Sequence, residues 1–116
     1  MSVWCWGGGI SCYTHFDSRD PDTNSNYGLI EGGQFDMGAT MWDERDRYIR
    51  NSPIFDFHKI KAPVLIFQGT RDHLCHAEAG PMFSSLKRLD KTAQLVLYDE
   101  EHYKGSWRHE NIEDFY

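Results

Sequence analysis

Pro63-Val64-Leu65-Ile66-Phe67-Gln68-Gly69 and Gln94-Leu95-Val96-Leu97-Tyr98 are the two stretches whose reading decides the fold. Each is a continuous apolar run rather than an alternating one, which marks a strand buried on both faces inside a parallel sheet. The first strand is expected over Pro63 to Phe67 and is closed by Gln68-Gly69. Between the two runs, Met82, Phe83, Leu86 and Leu89 recur at one-face helical spacing, with Ser84, Ser85, Lys87 and Arg88 opposite. Pro81 is placed to occupy the first turn of that helix, where a missing N–H costs nothing. Asp90-Lys91-Thr92 then makes a polar turn into the second strand. The order strand, helix, strand predicts a β-α-β unit, and two strands joined this way run parallel through a right-handed crossover.

Working outward, Asn111 to Tyr116 reads as the opening turns of a further helix. On the other side, Ala39 to Arg50 has helical character, with Met41, Trp42 and Ile49 available for burial. That helix must stop before Ser52-Pro53, because the residue preceding a proline is pushed out of the α region. Asp17 to Gly38 shows no clean period and is expected to form a long irregular connection with a short helix in it. Val3 to Trp6 reads as a short aromatic strand that runs into a turn at Gly7-Gly8-Gly9. The fold class is therefore α/β: a β-α-β portion of a mostly parallel sheet with flanking helices, in one domain over residues 1–116.

Composition excludes several function classes. Hydrophobic residues make up 40% and charged residues 26% of the 116, which is globular rather than disordered composition. The formal net charge of -6 and the lack of a Lys and Arg cluster exclude a nucleic-acid footprint. No apolar run approaches the ~20 residues that span a bilayer, so no membrane partner is expected. Cys5, Cys12 and Cys75 match neither a disulfide framework nor a paired zinc motif. His73, Cys75 and His76 offer imidazole and thiolate, yet a structural site needs a fourth ligand and a familiar pair spacing. Neither a metal nor an organic cofactor is expected.

Catalytic groups of parallel sheets gather at the carboxyl ends of the strands. The first strand leads through Gly69-Thr70-Arg71 to Asp72, and the second through Asp99-Glu100-Glu101 to His102. A carboxylate and an imidazole on one rim are two members of an acyl-transfer site, in which the carboxylate holds the imidazole's tautomer and the imidazole takes a serine proton. His102 is preferred over His15, His58, His73, His76 and His109 because it alone lies directly beyond the second strand.

Tyr48-Ile49-Arg50-Asn51-Ser52-Pro53-Ile54-Phe55, then Ile60-Lys61-Ala62-Pro63-Val64-Leu65-Ile66, Gly69-Thr70-Arg71-Asp72, Met82-Phe83, Leu86-Lys87-Arg88-Leu89 and Tyr98 to His102 together resemble the C-terminal part of the catalytic domain of the prolyl oligopeptidase family. Glu31-Gly32-Gly33-Gln34-Phe35-Asp36-Met37-Gly38 is similar to a Glu-x-Gly-Gln-x-x-Met-Gly stretch of one bacterial branch. The resemblance covers roughly residues 27 to 116. It implies a partial α/β-hydrolase fold and a serine-type peptidase acting on short peptides, with Asp72 and His102 in the triad. Glu31 and Gln34 are then candidates for contact with a substrate amine or backbone.

One departure from the family pattern has consequences. The nucleophile of this fold sits in a Gly-x-Ser-x-Gly elbow, and the sequence contains none. Gly9-Ile10-Ser11-Cys12-Tyr13 comes nearest, but Tyr13 stands where close packing requires glycine. The serine and the first half of the sheet are expected upstream of Met1, so the chain reads as a C-terminal fragment. Such a half-sheet would self-associate through its open edges, or pair with a chain that carries the missing strands.

Overall fold

The computed structural model of the chain describes residues 2–3, 10–13, 27–72 and 76–116. The elements run β1 (Ser2–Val3), α1 (Ile10–Tyr13), α2 (Tyr27–Glu31), α3 (Arg45–Arg50), a 3-10 helix (Pro53–Lys59), β2 (Val64–Gly69), α4 (His76–Arg88), β3 (Ala93–Tyr98), a 3-10 turn (Lys104–Ser106) and α5 (His109–Phe115). They form two compact units, one made of Met1–Trp4 with Lys61–Tyr116 and the other of Cys5–Ile60.

In the first unit the strands lie in the order β1-β2-β3, and every pairing is parallel. Ser2 and Val3 pair with Leu65 and Ile66, while β2 and β3 pair over their full lengths from Val64 opposite Ala93 to Gly69 opposite Tyr98. The β-α-β unit is thus present with the predicted direction. Its strands run slightly differently from the expectation: β2 begins after Pro63, which has no N–H, and continues through Gln68 and Gly69 because both remain buried and paired.

α4 differs more. It opens at His76 rather than at Pro81, so the proline lies inside the helix. Packing explains this: Ala79, Met82 and Leu86 are all buried, and their spacing extends the apolar stripe one turn before the proline. Each such side chain contributes roughly 1.5–3 kcal/mol on burial when it is large, which offsets a lost backbone bond. At the other end Asp90 adopts φ 54°, Lys91 N–H bonds the Leu86 carbonyl at 2.9 Å and Asp90 N–H bonds that of Lys87 at 3.1 Å, a Schellman closure.

The opposite side of the strand pair carries an aromatic layer. Residues of one parity share a sheet face, and Phe67 and Tyr98 stack on it with ring centroids 6.1 Å apart. Phe115 of α5 packs on Phe67 at 4.3 Å, Trp107 on Tyr98 at 5.2 Å, and the Lys104 ammonium lies 3.2 Å above the Phe115 ring. Tyr98 O–H donates to Asp114 at 2.7 Å, which pins α5 to the end of β3. α5 begins two residues before the expected Asn111 because its first turn is held by Glu100, as described below.

The second unit has its own core of Tyr13, Ile30, Met37 and Tyr48, against which Ile10, Phe35 and Met41 pack. The Tyr13 ring meets Tyr48 edge-on at 5.3 Å and Trp42 at 5.8 Å. Buried Ser52 ties the unit together, donating to the Tyr48 carbonyl at 2.6 Å and accepting from Ile10 N–H at 3.1 Å. The helix expected over Ala39 to Arg50 is helical only from Arg45, since Thr40 and Asp43 close a side-chain turn before it. It does end before Pro53, which opens the 3-10 helix. The short helix expected within Asp17 to Gly38 is α2. Trp4 to Trp6, Gly7-Gly8-Gly9, His15, His73 and Cys75 lie outside the described residues.

Candidate active site

β2 and β3 end in register, with Gly69 opposite Tyr98, so the chain leaves both strands at one rim of the sheet. The two departing loops then run together: Thr70 N–H bonds the Tyr98 carbonyl at 2.7 Å and Arg71 N–H bonds the Glu100 carbonyl at 3.0 Å. Only glycine permits this approach at position 69, because a Cβ there would lie 2.4 Å from the Glu100 carbonyl oxygen. The outcome is that Asp72 Oδ2 lies 3.0 Å from His102 Nδ1. Asp72 is buried, whereas the His102 side chain keeps 33% of its surface exposed.

Gln68 completes the pair from below. Its buried Nε2 donates to Asp72 Oδ2 at 3.2 Å and to the Gly69 carbonyl at 3.0 Å, so Oδ2 receives a fixed amide donor beside the imidazole. An ionised carboxylate only accepts, and the ring nitrogen bonded to it must then carry hydrogen. That assigns the hydrogen of a neutral imidazole to Nδ1 and leaves Nε2 as the basic nitrogen. The arrangement can take up a proton at Nε2 and stabilise the resulting imidazolium.

The loop that bears His102 is held at both ends. Glu100, 2% exposed, accepts from Arg108 N–H at 2.9 Å, Arg108 Nε at 3.1 Å and Asn111 Nδ2 at 2.7 Å, all on one oxygen. Burial pushes the Glu100 carboxyl up, but the bonds from Asn111 and Arg108 and the Arg108 charge outweigh it and hold the group below its ordinary value of 4.5. Arg108 is raised in turn, first by the same bond to Glu100. Trp107 Nε1 donates to the Glu101 carbonyl at 2.8 Å, and Tyr98 is pushed up to about 12 by burial and by its bond to Asp114.

Gln68 and Glu100 were not singled out by sequence reasoning. Gln68 had a readable signal, as a polar residue at the end of an apolar strand. Glu100 had none, because Asp99, Glu100 and Glu101 are equivalent on paper and only the fold turns the middle one inward.

The remaining candidates have other settings. Glu31 ends α2 in the second unit, where Oε1 accepts the Tyr13 hydroxyl at 2.6 Å and, with burial, drives that phenol to about 12. Gln34 is exposed in the turn that follows α2. His109 Nε2 lies 3.2 Å from Glu113 Oε1 on the exposed face of α5, and His58 is exposed in the 3-10 helix. Ser11 is the second residue of α1. Among the described residues no three His, Cys, Asp or Glu side chains are grouped to hold a metal ion, and no helix is long and apolar enough to cross a membrane.

No curated protein matches the chain. The family model of the prolyl oligopeptidase family matches residues 5–116, which takes in both strands β2 and β3, the crossover helix and the loops that carry Asp72 and His102. The chain therefore belongs to the prolyl oligopeptidase family, a family of peptidases with the α/β-hydrolase fold.

Proposed function

We propose that Asp72 and His102 are the acid and the base of a serine peptidase site that cleaves short peptides. The observation that carries this reading is the 3.0 Å approach of Nδ1 to Oδ2 at the carboxyl rim of a parallel sheet, in a member of a peptidase family. His102 Nε2 takes the serine hydroxyl proton as the serine oxygen attacks the scissile carbonyl, and the imidazolium gives that proton to the departing amine. Water then enters, loses a proton to Nε2, and releases the acyl group as a carboxylic acid while the serine regains its hydrogen. Asp72 orients the ring throughout and stabilises its charged form. No metal or organic cofactor takes part.

The serine comes from outside these 116 residues, since no Gly-x-Ser-x-Gly elbow occurs in them. The test is hydrolysis of a chromogenic dipeptide amide by a polypeptide that carries this sequence in frame with its elbow. Asp72→Asn should lower kcat by about 10⁴-fold, as loss of tautomer control does in triads. Equal kcat in the variant would refute the reading, and turnover of a short-chain ester with no turnover of any peptide amide would make the protein an esterase instead. The isolated chain should not react with a fluorophosphonate. Labelling abolished by Ser11→Ala would overturn the external nucleophile.

A second reading is favoured by one feature: β3 pairs only with β2 among the described strands, and Leu97 on it is 57% exposed. In this reading the chain is a non-catalytic assembly partner whose sheet continues into another chain. Light scattering distinguishes the two, because a concentration-independent monomer contradicts pairing through the β3 edge.

A further inference from the structure

His102 sits in a ten-residue span, 99–108, whose only regular structure is one 3-10 turn. Beyond that turn, no regular structure of the span holds the imidazole in reach of Asp72. The side chain of Glu100 supplies the constraint. It points inward at the start of the span and accepts three hydrogen bonds from the far end, two from Arg108 and one from Asn111. The loop is thereby closed over itself, with His102 between the two anchored ends.

The same carboxylate reaches the other loop. Arg71, directly before Asp72, donates from Nη2 to the Asp99 carbonyl at 2.9 Å and places Nη2 3.6 Å from Glu100 Oε2, while its Nε lies 3.1 Å from Asp99 Oδ1. Arg108 approaches Asp99 as well, with Nη2 3.3 Å from its carbonyl and 3.6 Å from its carboxylate. Exposed ion pairs such as Arg71 with Asp99 contribute little individually. Glu100 differs from them because it is buried and accepts three hydrogen bonds on one oxygen, so removing its charge leaves two guanidinium groups without their inner partner.

We infer that Glu100 is a positioning residue for His102: its buried carboxylate joins the Asp72 loop, the His102 loop and the first turn of α5, and so holds Nδ1 in reach of Asp72. The inference rests on the proposed pairing of Asp72 with His102. Glu100 itself touches no reacting atom in this account. It acts through the backbone of the loop.

The test reads the His102 Nδ1 proton by NMR on the whole chain uniformly labelled with ¹⁵N. A proton held between Nδ1 and a carboxylate resonates far downfield of the amides and exchanges slowly with water. In the unmodified chain that resonance is expected, and Asp72→Asn should abolish it. Glu100→Gln keeps the size of the side chain but removes its charge, and it should broaden or remove the same resonance while the amides of Ile66 and Val96 stay dispersed. Arg108→Gln attacks the clamp from its other side and should do likewise, which covers the case in which a Glu100 variant fails to fold. Leu86→Val weakens the core of the same unit without touching the loop and should leave the resonance intact. A merely structural role for Glu100 predicts that Glu100→Gln and Arg108→Gln keep the resonance as Leu86→Val does, and that result overturns the inference while leaving the Asp72 pairing in place. A resonance that survives Asp72→Asn overturns the pairing itself, and with it the role given to Glu100.

Discussion

Replacement of Gly69 by alanine probes the junction on which the candidate site depends. A Cβ at this position would stand 2.4 Å from the Glu100 carbonyl oxygen and 3.0 Å from both the Glu100 carbonyl carbon and the Glu101 carbonyl oxygen. Ordinary contact begins at 3.4 Å, so the Glu100 carbonyl must retreat by 3.4 − 2.4 Å, about 1 Å. All three obstructing atoms are backbone, and no rotamer change relieves the clash. A retreat of that size disrupts the Arg71 N–H bond to the same Glu100 oxygen, which is 3.0 Å long. A lost bond costs about 1 kcal/mol and overpacking about 1–3 kcal/mol, which together make about 2–4 kcal/mol. Urea unfolding followed by far-UV circular dichroism measures this, with Gly80→Ala as the control. Gly80 lies within α4 with nothing within 4 Å of an added Cβ, so that variant should gain roughly 0.5–1 kcal/mol from helix propensity. Equal midpoints for Gly69→Ala and Gly80→Ala would refute the close approach of the two loops.

Asp90→Gly should raise stability by about 1 kcal/mol, because the left-handed φ of 54° at the end of α4 suits glycine; an unchanged urea midpoint argues against the Schellman closure. Gln68→Leu removes the amide donor from buried Asp72 and should cost about 1–3 kcal/mol by the same assay, with the loss absent if Gln68 is merely a filler of the strand. Tyr98 binds its proton more tightly in the folded chain, at about 12, than at the ordinary value of 10.0. The stability this gives is complete below 10 and is lost as the pH rises through 10 to about 12, so Tyr98→Phe should flatten the alkaline fall of the unfolding midpoint. An identical alkaline fall in the two proteins would place the titration elsewhere.

The parallel strand pair was legible because continuous apolar runs have few other homes, and the loop positions of Asp72 and His102 followed from where those runs end. Their pairing was an inference from topology and from the family resemblance, and its length depends on Gly69, whose need for hydrogen in place of a side chain becomes visible only when the next loop is in view. Pro81 misled the reading of α4: a proline is a good first-turn residue, yet the buried stripe of Ala79, Met82 and Leu86 carries the helix past it. The start of α3 was misplaced for a local reason, since Thr40 and Asp43 bond each other and hold their segment in a turn. Glu31 shows the limit of reading a polar loop from composition, because its partner Tyr13 is 18 residues away in sequence and no pattern connects the two.

If Asp72 fixes the His102 ring, the hydrogen of the neutral imidazole sits on Nδ1. The ¹⁵N chemical shifts of the two ring nitrogens, recorded in the folded neutral-imidazole state and assigned through long-range couplings to the ring protons, test it most directly. A protonated-type shift is expected at Nδ1 and an unprotonated-type shift at Nε2. The reverse assignment, or the averaged shifts of a freely exchanging imidazole, would contradict it.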